Sequence, residues 1–305
     1  MIETDHDTAE LARIVPADSR LEVLAHDLLF GEGPLWDAES GSLLWVDILG
    51  DAIWRWTPGI GRELVRRPSG KVNGLTLDLQ GRLVVAGWGS RNIWRQEPDG
   101  RSVELVTHFE GKRINTPNDI VVHSSGAIYW TDSSGALFIP GMDVGDVQRY
   151  LDGHPVFRLD PDEKTLTVFT SDVLYPNGLA FSPDEKTLYV ADTWGANVLA
   201  FPVDEAGNAT GPGVVFYELV GGEPGIADGM KVDIEGNVYV TGPAGVHVVS
   251  PDGQLIGRIK LPGHTTNMAW GDPDWGALYV TSYTSLFRLR LGVTGLPVPT
   301  RGSAA

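Results

Sequence analysis

Residues 188–192 read LYVAD, and variants of that phrase return at 43–47 (LLWVD), 83–87 (LVVAG), 128–132 (IYWTD), 238–242 (VYVTG) and 278–282 (LYVTS). Each is rich in the aliphatic, β-branched and aromatic residues that suit a strand. Ahead of each lies a shorter apolar run, in chain order GPLWD, NGLTLD, NDIVVH, NGLAFS, DGMKVD and TNMAWG. Behind each comes a third: IWRWTP, IWRQEP, VFRLDP, VLAFPV, VHVVSP and LFRLRL. The phrases end at 47, 87, 132, 192, 242 and 282, so the period runs from 40 to 60 residues. That is the repeat of a propeller blade, a small antiparallel meander of four strands.

Five copies carry a fourth, outer strand, at 63–66, 103–108, 166–170, 214–218 and 255–259. The sixth does not, because after Leu291 the chain runs into GVTGLPVPTRGSAA, too rich in Gly and Pro for a core strand. An open edge there would invite pairing with other chains, and the unclaimed strand at 21–24 can cover it. The reading is an all-β, six-bladed β-propeller with four-stranded antiparallel blades, closed by an N-terminal strand. It predicts one domain over 19–292, with tails at 1–18 and 293–305.

The 305 residues carry 42% hydrophobic residues and 10 Trp, ample for a core, and no window approaches the ~18 apolar residues of a membrane helix. The first ten residues are acidic and lack an apolar h-region, and there is no Cys, so the expectation is a cytoplasmic protein without disulfides. A net charge of -17 disfavours nucleic acid or an anionic membrane as partner and favours cation affinity.

In a propeller the residues just before the first strand of each blade gather at one mouth of the central channel. Here they are Glu32, Asn73, Asn118, Asn177, Asp228 and Asn267, one oxygen-bearing side chain per blade. A shell of carboxylate and amide oxygens without His or Cys suits a hard cation. Ca²⁺ is the first choice, since Mg²⁺ demands stricter octahedra and Zn²⁺ favours N or S; Mn²⁺, Mg²⁺ and Zn²⁺ are the alternatives. Asn-Gly and Asp-Gly are also ordinary turn dipeptides, so Asn73 has a purely conformational reading. Glu32, set between two glycines, has no turn preference to explain it.

The phrases GEGPLW, INTPNDIVV with IYWTD, LYPNGLAFSPDEKTLYVADT and IADGMKVD closely resemble the gluconolactonase, regucalcin (senescence marker protein) and luciferin-regenerating family, in the right order from Leu21 to Leu291. The resemblance implies a divalent cation held by Glu32, Asn177 and Asp228, with Asn118 a fourth ligand or a substrate contact. It further implies a hydrolase that opens a small-molecule lactone, most often of an aldonic acid, by water attack on a polarised carbonyl. Asp228 is then the candidate general base, a preference that follows the resemblance, and Asp119 the second candidate. Calcium-dependent phosphotriesterase-like enzymes would use the same four positions, and a non-enzymatic binding propeller is the reading from another class.

Substrate contacts are expected from residues around that mouth: Asn73, Trp88, Tyr175, Arg113 with neighbouring Lys112, and Asn92. His264, three residues before Asn267, is a further wall candidate and a general base if the substrate is a phosphoester. The insertion at 133–155 is a candidate lid. No HExxH, CxxC, GxSxG, Walker or dinucleotide-binding pattern offers a competing chemistry.

Overall fold

The computed structural model describes residues 2–5, 8–134 and 149–299. Six antiparallel sheets follow one another in chain order as the blades of a propeller. Their inner strands are Gly31–Asp37, Leu75–Leu77, Thr116–Val122, Pro176–Phe181, Met230–Val232 and Thr265–Gly271. The repeated phrase forms the second strand of each blade, for example Ser42–Asp47 and Thr187–Asp192. These strands are covered on both faces by neighbouring blades, which is why they read as continuous apolar runs and not as an alternation. Outer strands such as Gly61–Arg66 are largely exposed, and their polarity rises accordingly.

The core lies in the wedges between adjacent blades. Leu35 and Val46 of the first blade pack with Leu75, Val85 and Trp94 of the second, and Val240 of the fifth packs with Ala191 and Val198 of the fourth. The ring closes as expected. Leu21–Ala25 pairs antiparallel with Leu286–Arg290, Leu21 opposite Leu289 and Val23 opposite Phe287, and becomes the fourth strand of the sixth blade.

Both expected tails carry structure. Glu3–Asp5 adds a fifth strand to the fifth blade, Glu3 pairing with Lys260, and Ala9–Ile14 is a helix capped by the Thr8 hydroxyl. Its Leu11 and Ile14, three residues apart on one face, are buried against Val246, Ile256 and Leu291. At the other end Val293 is buried, Gly295 bridges to Asp233, and Thr294 O accepts from Ile234 N at 3.0 Å. Leu296, Pro297 and Val298 then cover a cavity of about 80 Å³ lined by inner-strand residues of all six blades, among them Leu35, Ile120, Lys231 and Trp270. Gly and Pro rule out a ladder strand, as the sequence suggested, but they do not prevent packing across the far end of the channel. The candidate lid lies mostly in 135–148, outside the described residues. No helix among the described residues is long and apolar enough to cross a membrane.

Removing a buried aliphatic side chain costs about 2–5 kcal/mol. Leu11→Ala and Ile14→Ala are each expected to lower the unfolding free energy by that order in denaturant titration. Variants as stable as the parent would mean that the segment behaves as a tail after all.

Candidate functional site

Three features of the local sequence position the channel mouth. The first is a set of strand irregularities: the pairing of inner to second strand slips between Glu32 and Leu35, Pro117 and Ile120, Pro176 and Leu179, and Thr265 and Asn267. Such bulges redirect side chains out of the regular alternation, and Glu32, Asn118 and Asn177 sit within or at the edge of three of them. The second is the Asp that ends the repeated phrase. Asp47 accepts from Phe30 N at 2.9 Å, Asp132 from Asn115 N at 2.7 Å, and Asp192 from Leu174 N and Tyr175 N at 3.0 Å. Each carboxylate thus ties down the backbone two to three residues before Glu32, Asn118 or Asn177.

The third is close approach between blades. Gly74 N donates to Asn118 O at 2.8 Å, Gly178 N to Asp228 O at 3.0 Å and Gly229 N to Thr266 O at 2.8 Å. A Cβ at Gly74, Gly178 or Gly229 would collide with the next blade. The glycine after each of these Asn or Asp residues therefore serves blade contact, where the sequence also permitted a simple turn.

The result is a cavity of about 260 Å³ that brings together Glu32, Asn73, Asn118, Asn177 and Asp228 from five blades. Trp88, Tyr175 and His264 line it too. Phe30, Thr193, Trp194, Ile226 and Tyr283 join them without having been singled out from sequence. Asn267 lies beside this group and hydrogen-bonds the Glu32 carboxylate. Asp119 does not line the cavity. It is buried, one carboxylate oxygen accepts from Ile120 N at 2.9 Å, and the other lies 3.8 Å from Lys231 Nζ. Arg113 is exposed, donating to Ser90 O at 3.2 Å, and Lys112 pairs with Asp152 at 3.1 Å. Asn92 bonds Glu104 at 2.7 Å; none of these three lines the cavity. Lys231, the cation beneath the acids, carried no sequence signal beyond its place in DGMKVD.

The electrostatics are dominated by burial. Glu32 is pushed up to about 7 by desolvation, with the charge of Asp119 adding to it, against Gly33 N–H, the Asn267 amide and Lys231. Asp228 is pushed well above the usual carboxylate range by desolvation, then by Glu32 and Asp119, opposed by a hydrogen bond from Asn177. The amides add unpaired oxygens. Thr193 spends its hydroxyl hydrogen on Ala227 O at 2.6 Å, so its oxygen must accept from Asn177 Nδ2 at 3.1 Å. That assignment leaves Asn177 Oδ1 buried without a donor, as are Oδ1 of Asn73 and of Asn118.

Buried oxygen atoms without donors, beside two acids that resist ionisation, fit a hard cation. Among the described residues no three His, Cys, Asp or Glu side chains form a metal cluster, so a cation here would rest on a mixed set of carboxylate and amide oxygens.

The SMP-30/gluconolactonase/LRE-like region family model matches residues 30–284. This chain belongs to that family. It is 30% identical over 309 residues to a gluconolactonase of Zymomonas mobilis, covering 93% of this chain and 85% of that protein. A pentonolactonase of Haloferax volcanii is 28% identical over 88% of this chain and 92% of its own. Among solved structures, a gluconolactonase from Xanthomonas campestris superposes with a TM-score of 0.84 at 34% identity, covering 95% of this chain and 97% of the other.

The raised acids set the sign of a pH effect. A folded state without a bound cation holds protons that the unfolded chain releases, so this contribution to stability is fully present below the ordinary Glu value of 4.5 and is lost as pH rises through about 7. Denaturation in chelator should show the parent losing stability across that window relative to Glu32→Gln, whose amide does not titrate. Parallel profiles for the two proteins would contradict the assignment.

Proposed function

We propose that this protein is a metal-dependent lactonase that opens the ring of a sugar (aldonic acid) lactone at the mouth of the channel. The observation that carries the reading is the convergence of Glu32, Asn118, Asn177 and Asp228 on one cavity with amide oxygens left unpaired. The relatives named as gluconolactonase and pentonolactonase support the substrate class. Those four side chains would hold the cation, with Ca²⁺ favoured by an all-oxygen set and Mn²⁺, Mg²⁺ or Zn²⁺ as the alternatives. When bound, a divalent cation supplies Lewis acidity toward the lactone carbonyl and acidifies a water molecule.

The chain's own residues do the rest. Asp228, which burial alone would keep protonated and which would be ionised once a cation offsets that burial, takes a proton from the attacking water and returns it to the ring oxygen as the acyl C–O bond breaks, leaving a hydroxy acid. Asp119, off the cavity, contributes charge through Glu32 and Asp228. Asn73 Oδ1 and His264 Nε2 are buried without partners and offer hydrogen bonds to ring hydroxyls. Trp88 and Tyr175 form apolar wall, and Arg113 lies outside it. His264 also supports the alternative of a phosphotriesterase-like hydrolase, because it lines the same cavity and its buried imidazole Nε2 has no partner to occupy it.

Asp228→Asn keeps the side-chain shape and removes charge and base. The rate on a panel of aldonolactones is expected to fall by about 10²–10⁴-fold even with metal occupancy restored, metal content being measured in the same samples. A metal-replete variant working at the parental rate would remove Asp228 as base. A parent inactive on lactones but active on phosphotriesters would favour the alternative.

A further inference from the structure

Trp194 lines the cavity, yet 54% of its surface is exposed. An exposed apolar residue is unremarkable when it is loose, and this one is braced. Asp192 accepts from Trp194 N at 3.2 Å and from Gly195 N at 3.0 Å, fixing the backbone. The indole packs 4.7 Å from the Tyr175 ring at 35° and meets His154 edge-on at 5.4 Å and 80°. Thr193, its neighbour in sequence, holds the Asn177 amide. Ile226, 37% exposed, lines the same cavity. The indole is therefore a fixed plate beside the oxygen cluster.

The rest of the lining says what the plate meets. Among the described residues no Lys or Arg lines the cavity, and its charged groups are Glu32 and Asp228. An anionic substituent would find no Lys or Arg to pair with there. A neutral, hydroxylated ring suits both kinds of wall. Its hydroxyl rim reaches hydrogen-bonding groups such as Asn73 and His264, while its C–H face, slightly positive, is attracted to the negative face of an indole.

We propose that Trp194 is a specificity-determining residue, its indole packing against the C–H face of a neutral sugar lactone and holding that ring over the oxygen cluster. The inference rests on the lactonase reading, and the test separates the two.

With glucono-1,5-lactone as probe, Trp194→Ala should raise KM by roughly three- to tenfold, with a smaller change in kcat and an unaltered melting temperature. Trp194→Phe, which restores an aromatic face, should return KM to within about twofold of the parent. A purely structural role would instead lower kcat and melting temperature together. An unchanged KM in Trp194→Ala, with an active parent, overturns the inference alone. If the parent hydrolyses no aldonolactone, the lactonase reading fails, and calorimetric titration with the unreactive gluconolactam decides the stacking: weaker binding to Trp194→Ala than to the parent supports it, and equal or undetectable binding to both overturns it.

Discussion

Glu32 and Asp228 are buried next to each other at the channel mouth, and a third acid, Asp119, bears on both. Like charges removed from water cannot all ionise without a compensating cation, and the nearest fixed one, Lys231, lies by Asp119 and not in the cavity. The amide oxygens of Asn118 and Asn177 add to this excess of acceptors instead of relieving it. An isolated protein gains nothing from such a cluster; every member raises the cost of the others. The arrangement makes physical sense as a receptor for positive charge, and the other features of the mouth serve to hold it together.

That holding is distributed over the whole ring. Each blade contributes one oxygen-bearing side chain to the mouth, so the cluster exists only while six sheets keep their mutual register. The wedge cores between blades and the glycine contacts at Gly74, Gly178 and Gly229 set how closely the inner strands approach. Asp47, Asp132 and Asp192 fix the loops that lead into three of those strands. Closure by Leu21–Ala25 completes the sixth blade, whose Asn267 orients Glu32. The far end of the channel, away from Glu32 and Asp228, is covered by the chain after Leu291.

The blades were legible because a strand buried on both faces leaves an apolar phrase that repeats, and six repeats define a ring. The oxygen-bearing residues were legible for the same reason, since one recurs just before the first strand of every copy. The termini were not. A six-residue helix with two buried side chains, Leu11 and Ile14, has too short a period to stand out, and a Gly- and Pro-rich segment gives no strand signal even where it packs. Bulges leave no mark in composition, so the sequence could not tell that Asn118 faces the cavity while its neighbour Asp119 turns toward Lys231. Trp194 and Tyr283 follow their buried phrases much as Trp88 does, so the signal that marked Trp88 was present at both positions as well.

The central claim is that these four side chains share one cation. Crystals grown with Mn²⁺ and measured for anomalous scattering test it most directly. The account predicts a single strong peak bounded by oxygens of Glu32, Asn118, Asn177 and Asp228. A map with no peak among them, from protein shown to be folded and at saturating Mn²⁺, would contradict it.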